Sequence, residues 1–217
     1  MSDIFHEVDE EVRREQFKKL WARYGNLIVA AAVLIVAGIG AWRGYEYYTA
    51  QRAAKAGAEF ESAVQLADQG KHQEAEAAFN KIASEAPGGY RVLARLRAAA
   101  ELSQRDAKAA AAAYDQLSAD PSLGIALQDL AGLRAAMLMV DTSPYEEIER
   151  RLATLAEPGR AFRHTAREIL ALSAWKANNA AAAQRYLDMI AADGETPPAT
   201  RSRAEVISAL IAGAGKG

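Results

Sequence analysis

Hydrophobic positions along this chain follow three successive patterns. From Leu27 to Trp42 they are nearly continuous, and no charged residue falls between Arg23 and Arg43. As a helix, residues 24–43 cover roughly 30 Å, the thickness of a bilayer's hydrocarbon core, so this run predicts a transmembrane helix. Before it, Ile4, Phe5, Val8, Val12, Phe17, Leu20 and Trp21 recur at helical spacing. They predict an amphipathic segment over 1–23, lying at the headgroups and leading into the span. A solvated tail is the alternative there. Beyond residue 44 the apolar positions settle into a helical period that itself repeats.

The repeat is visible in four sets of residues. Phe79, Tyr114, Leu152 and Tyr186 each follow Ala75, Ala110, Ile148 or Ala182 by four positions and precede Ile82, Leu117, Leu155 or Met189 by three. Their separations of 35, 38 and 34 residues match the period of stacked helical hairpins. Punctuation agrees. Gly70, Asp106, Asp141 and Asn178-Asn179 fall between paired helices, and Ala86-Pro87-Gly88-Gly89, Asp120-Pro121, Glu157-Pro158-Gly159 and Asp193-Gly194 close each pair. Proline removes a backbone donor and glycine accepts left-handed dihedrals, so such clusters end helices. Helices are therefore expected over 46–69, 71–86, 89–104, 107–119, 122–140, 144–156, 159–177 and 179–192. A last helix, starting at Thr196 or Thr200 with Val206, Ile207, Leu210 and Ile211 on one apolar face, caps the stack. The expected fold is all-α: a single transmembrane helix followed by a helical solenoid over 44–213 and a flexible tail at 214–217.

Composition narrows this picture. Alanine is abundant and aromatics make up only 7% of the chain, which favours closely packed helices over sheets. The net charge of −2 offers no basic excess for nucleic acid. Without cysteine there is no disulfide framework or thiolate metal site.

Charge also orients the anchor. Arg13, Arg14, Lys18, Lys19 and Arg23 precede the span and outweigh Arg43, Arg52 and Lys55 behind it. The positive-inside rule then leaves the N-terminus in the cytoplasm and sends the repeats across. Trp21 and Tyr24 before the span, and Trp42, Arg43 and Tyr45 after it, stand where interfacial side chains belong. A cleaved signal peptide fits less well, because bulky Arg43-Gly44-Tyr45-Glu46-Tyr47-Tyr48 replaces a small-residue cleavage site. A buried core helix would need partners on every face. Gly40 and Gly44 form a small-xxx-small pair through which another helix could approach.

Gly57-Ala58-Glu59-Phe60 with Ala63, Leu66, Gly70, Ala75, Phe79 and Ile82, ending at Ala86-Pro87, resembles a tetratricopeptide repeat; the later repeats diverge, with Asp106 where the first has Gly70. The whole layout is similar to a wider family. An acidic then basic N-terminal segment, one span ending in Ala41-Trp42-Arg43-Gly44-Tyr45, and divergent repeats resemble the ancillary subunit of the bacterial Sec translocon. That resemblance implies a bacterial inner-membrane protein with a periplasmic repeat domain that associates with the translocon and with periplasmic folding factors.

Signs of catalysis are sparse. The sequence contains no phosphate-binding loop, Gly-x-Ser-x-Gly elbow or His-Glu-x-x-His. His164 and Glu168 stand at i, i+4, a spacing more often found on a solvated or salt-bridged helix face than at a metal. The expectation is a protein-binding, non-enzymatic chain with no cofactor, metal or small-molecule substrate. In such solenoids the first helix of each pair lines a groove, which nominates Arg91, Arg95, Arg134, Arg160, Arg163 and Arg167 as contacts for a partner's carboxylates. The competing expectation leaves these arginines solvated or pairs them with Glu101, Asp129 and Glu168. Alanines 107 to 113, broken by Lys108, fit either tight packing or a shallow adaptable surface, and helical spacing assigns Met137, Met139, Phe162 and Trp175 to the core. An envelope-assembly or cell-division scaffold is the alternative function for the same domain.

Overall fold

The structure is a computed structural model and describes residues 3–214. These form nine α-helices and no strand: α1 Asp3–Asp68, α2 His72–Glu85, α3 Gly88–Leu102, α4 Ala107–Ser118, α5 Ile125–Met139, α6 Tyr145–Leu152, α7 Arg163–Lys176, α8 Ala180–Ala192 and α9 Pro198–Ala214. The chain divides into two units, one ending at Ala54 and one beginning at Lys55.

In the first unit, α1 runs without interruption through the apolar stretch, so the separate helix expected from 46 is the continuation of one already under way. The part from Lys18 contains a window of mean hydropathy 2.1, and α1 is long and apolar enough to cross a membrane. Trp21 lies against Gly25, Arg23 lies over the Tyr24 ring at 5.6 Å, and Arg43 donates to Glu46 at 3.2 Å. Trp42 and Tyr45 are exposed. The amphipathic pattern expected over 1–23 falls mostly on side chains outside the described residues, as do residues 215–217 of the expected tail.

In the second unit the turns explain the helix boundaries. At the end of α1, Gly70 adopts φ +75°, Lys71 N–H donates to Leu66 O at 2.9 Å and Gly70 N–H to Ala67 O at 2.9 Å. This pair of bonds satisfies the last helical carbonyls. The same pattern recurs after α7 at Asn178, φ 58°, whose N–H reaches Trp175 O, while Asn179 N–H reaches Ala174 O, both at 2.9 Å. Asparagine is among the few non-glycine residues that tolerate this conformation. Two helices then begin on side-chain caps: Asp106 accepts from Ala109 N–H at 2.9 Å and Asn179 from Ala182 N–H at 3.0 Å.

Three further helices differ from expectation in their bounds. The segment from 122 is split, with a short 3₁₀ turn at Pro121–Leu123, then Gly124 at φ 71°, then α5. Glycine there lets the chain turn through a backbone conformation that a helix cannot use. The segment from 144 ends its α-helix at Leu152 and finishes as a 3₁₀ turn, Thr154–Ala156. α7 starts at Arg163, leaving Arg160 and Phe162 before it.

The core is a chain of three clusters. α1, α2 and α3 bury Ala56, Ala63, Ala75, Phe79, Ile82 and Ala94, with the Phe60 ring 5.1 Å from Phe79 and 5.9 Å from Tyr90. α3, α4 and α5 close around Tyr114, Leu117, Ala131 and Ala135. α5 to α9 enclose Ile148, Leu152, Leu170, Tyr186 and Ile190. The residues expected to mark the repeat, Phe79, Tyr114, Leu152 and Tyr186, are all buried. α2 packs most extensively on α3, and α4 on α5, across the junctions expected to separate pairs. Small side chains at Ala75, Ala94 and Ala98 permit that approach. In the alanine run, Ala110 and Ala111 are buried while Ala107 and Ala112 face outward.

α9 packs on α8 and α7 through Ala204, Ile207 and Ile211. Its expected single apolar face is divided, because Val206 and Leu210 are exposed.

Phe79→Ala removes a fully buried ring, a change that costs about 3–5 kcal/mol. Amide hydrogen exchange should show that loss as lowered protection between Ala56 and Ala98, with protection between Tyr145 and Ile190 retained.

Candidate interaction surface

α3, α5 and α7, the first helices of their pairs, bury one side and leave an exposed stripe along the other. On α3 this stripe carries Leu93 and Arg97, on α5 Arg134 and Met137, and on α7 Leu172 and Trp175. Met137 is 45% exposed and Trp175 36%, so these two of the four expected core residues lie outside it. Met139 and Phe162 pack against the core. α5 is apolar around most of its girth and α7 buries the polar Arg167, Glu168 and Ser173, so periodicity alone does not single out the free stripe.

The six nominated arginines occupy unlike environments. Arg91 donates through Nε to Ala86 O at 3.3 Å, and Arg95 donates to Asp120 at 2.6 Å. Asp120, held first by Ser122 and then by Arg95, has its pKa lowered to about 2. Arg160 pairs with buried Asp129. Arg163 donates to Asp193 at 2.8 Å and also to Glu195. Arg167 is 3% exposed and bonds Ala156 O at 2.9 Å, Met189 O at 3.2 Å and Asp193 at 2.9 Å. Its guanidinium ties the entry to α7 to the end of α8 and is closed to solvent. Arg134 alone of the six is exposed and, among the described residues, without a hydrogen bond or ion pair.

Of the three carboxylates expected to neutralise these arginines, only Asp129 does so. Glu101 accepts from or lies against His72 at 2.7 Å, and Glu168 receives Arg203. His164 and Glu168 therefore serve different partners. His164 Nδ1 lies 3.1 Å from Thr196 Oγ1 and 3.8 Å from Asp193, and burial, followed by the charge of Arg163, lowers its pKa. Among the described residues no group of three or more potential metal ligands forms.

Two residues with structural weight escaped the sequence. Asp193 accepts from Arg163, Arg167 and the Glu195 N–H, and its backbone carbonyl accepts from Arg201 at 3.2 Å. Glu149 accepts from Tyr145 at 2.6 Å, Arg185 at 2.8 Å and Tyr186 at 3.0 Å, joining α6 to α8. A usable signal existed for Asp193: Arg95 and Asp120 are 25 residues apart and Arg167 and Asp193 are 26, each joining a first helix to the turn that closes its hairpin.

Two depressions flank these elements. One of about 170 Å³ lies between α2, α3 and α4, lined by Glu76, Asn80, Arg95, Ala99, Gln116 and Leu117. The other, about 390 Å³, lies between α8 and α9 along Leu187, Asp188, Ala191, Ala204 and Ser208.

Helices stacked in this way, with three linked cores and one exposed stripe, define an α-helical repeat domain. A family model described as a tetratricopeptide repeat-like domain matches residues 18–169, and the chain belongs to that family. The match begins before the apolar stretch and ends within α7, so it takes in the candidate span as well as the repeats. No curated protein and no solved structure matches the chain. Repeat domains of this kind act as protein-binding scaffolds and are typically non-catalytic.

The Arg163 guanidinium holds the Asp193 carboxyl well below the usual carboxylate range, against the opposing effect of burial, and the Glu195 N–H and Arg167 assist. A depressed folded-state pKa contributes stability that is complete above the unfolded value of about 4 and is lost as pH falls below it. The melting temperature of the full chain in detergent should therefore drop on acidification below about pH 4. Asp193→Asn should lower it at neutral pH and make the acid-side drop shallower.

Proposed function

We propose that the chain is a membrane-anchored adaptor at the bacterial Sec translocon, where its repeat domain binds translocon subunits, emerging chains or periplasmic folding factors. The observation that carries this reading is the joining of one apolar helix to a tetratricopeptide repeat-like domain within a single family match. The layout of charge supports the orientation: residues 1–23 cytoplasmic, 24–43 in the inner membrane, 44–213 periplasmic, with 214–217 as the tail.

Anchoring gives such an adaptor its physical rationale. Two partners confined to one membrane meet at a raised effective concentration, so contacts too weak to hold a soluble complex suffice. No small molecule, cofactor or nucleic acid is required for this role.

Photocrosslinkers placed at Leu93, Met137 and Trp175 in living cells should recover translocon subunits or periplasmic folding factors, and a periplasm-active reporter fused after Gly217 should be active. Recovery of neither class of protein, or a reporter active only in the cytoplasm, overturns the assignment.

A further inference from the structure

Arg97 and Arg134 differ from the other arginines between Arg91 and Arg203. From Arg91 to Arg203, each of the others donates to a carboxylate or carbonyl of the chain itself. Among the described residues, neither Arg97 nor Arg134 has a hydrogen-bond or ion-pair partner, and both are exposed.

The two cations belong to one neighbourhood. Their chain neighbours Leu96 and Ala135 pack in the same cluster around Tyr114, and the Tyr114 hydroxyl donates to Leu96 O at 3.4 Å. Both guanidiniums act on that phenol, offsetting part of the rise that burial causes in its pKa. Leu93, one turn before Arg97, is 47% exposed, and Met137, one turn after Arg134, is 45% exposed. The Glu101 carboxylate acts on the same phenol but is bonded to His72, so neither guanidinium has an ion-pair partner on these two helices, and each is flanked by a half-exposed apolar side chain. Guanidinium groups seek carboxylates in charge-assisted, often forked hydrogen bonds, and the chain satisfies that demand everywhere else in this region from its own acids. The apolar flanks add what a bare anion cannot use.

We propose that Arg97 and Arg134, with Leu93 and Met137 beside them, form a docking site for an acidic segment of a protein partner. The segment's carboxylates meet the two guanidiniums, and its apolar side chains cover Leu93 and Met137. This rests on the adaptor reading and specifies the chemistry of the partner.

The test uses the full chain in detergent micelles and a fluorescent synthetic peptide of glutamate and leucine, compared with its glutamine counterpart. The glutamate peptide should bind and weaken with added salt. Arg97→Glu with Arg134→Glu should lower its affinity by at least about tenfold for each arginine. Leu93→Ser with Met137→Ser should weaken binding without changing its salt dependence. Arg150→Glu should bind as the unaltered chain does, since Arg150 is occupied by Glu147 on α6. Neither target guanidinium is bonded within the chain, so the helical signal should be retained; Arg97→Gln with Arg134→Gln should shift affinity in the same direction. Absence of binding, equal binding of the glutamine peptide, equal competition by inorganic phosphate, or an unchanged affinity in the double charge reversal overturns the proposal. If that double variant still crosslinks to translocon subunits at the original level, this site falls and the adaptor assignment stands.

Discussion

A hairpin of two short helices has more apolar surface than its own interior can cover, and the rest of this structure follows from that constraint. Phe79, Tyr114, Leu152 and Tyr186 each sit at the place where a second helix meets its neighbours, and each is buried only because another hairpin lies alongside. Alanine completes the arrangement. Ala75, Ala94 and Ala98 bring α2 and α3 together, and Ala131 and Ala135 do the same for α5 beside α4. Close approach at these positions gives dispersion contacts that larger side chains would prevent. The stack must then present something to water at its inner stripe, and what remains there is a mixture of cations and half-covered apolar groups.

Electrostatics repeats the same nearest-neighbour logic. Asp120 binds Arg95 and Asp193 binds Arg167, in both cases a closing turn fastened to the first helix of its own hairpin. Asp115 with Arg151 and Glu149 with Arg185 fasten one second helix to the next. Partly buried pairs of this kind specify how hairpins seat more than they add to net stability, because desolvation offsets much of their attraction. Their saturation also defines function by exclusion: a repeat domain binds through the groups it leaves unsatisfied.

Helix ends were legible in the sequence because they depend on local chemistry. Gly70, Asp106 and Asn178-Asn179 mark turns in the sequence, and each forms the cap or left-handed turn that its residue type favours. Gly124 carries no such signal, because a lone glycine inside an apolar helical pattern does not by itself mark a boundary. The arginines were harder to place, because their roles depend on partners 25 to 36 residues away. An i, i+4 pair such as Arg163 and Arg167 suggests a shared outward face, yet Asp193 approaches from the following turn and captures both. Arg97 has no such sequence signature. It stands out, with Arg134, because the remaining arginines from Arg91 to Arg203 are bonded within the chain.

The continuity of α1 bears on how the first hairpin begins. A new helix must fix several residues before its first hydrogen bond offsets the loss of freedom, and its leading N–H groups need caps. α4 and α8 meet that need with Asp106 and Asn179. The first repeat helix has no beginning of its own, because Lys55 to Asp68 extend a helix that already exists. If the apolar stretch is made helical by lipid, the first repeat helix starts from a ready nucleus and grows by propagation, while each later helix must nucleate for itself.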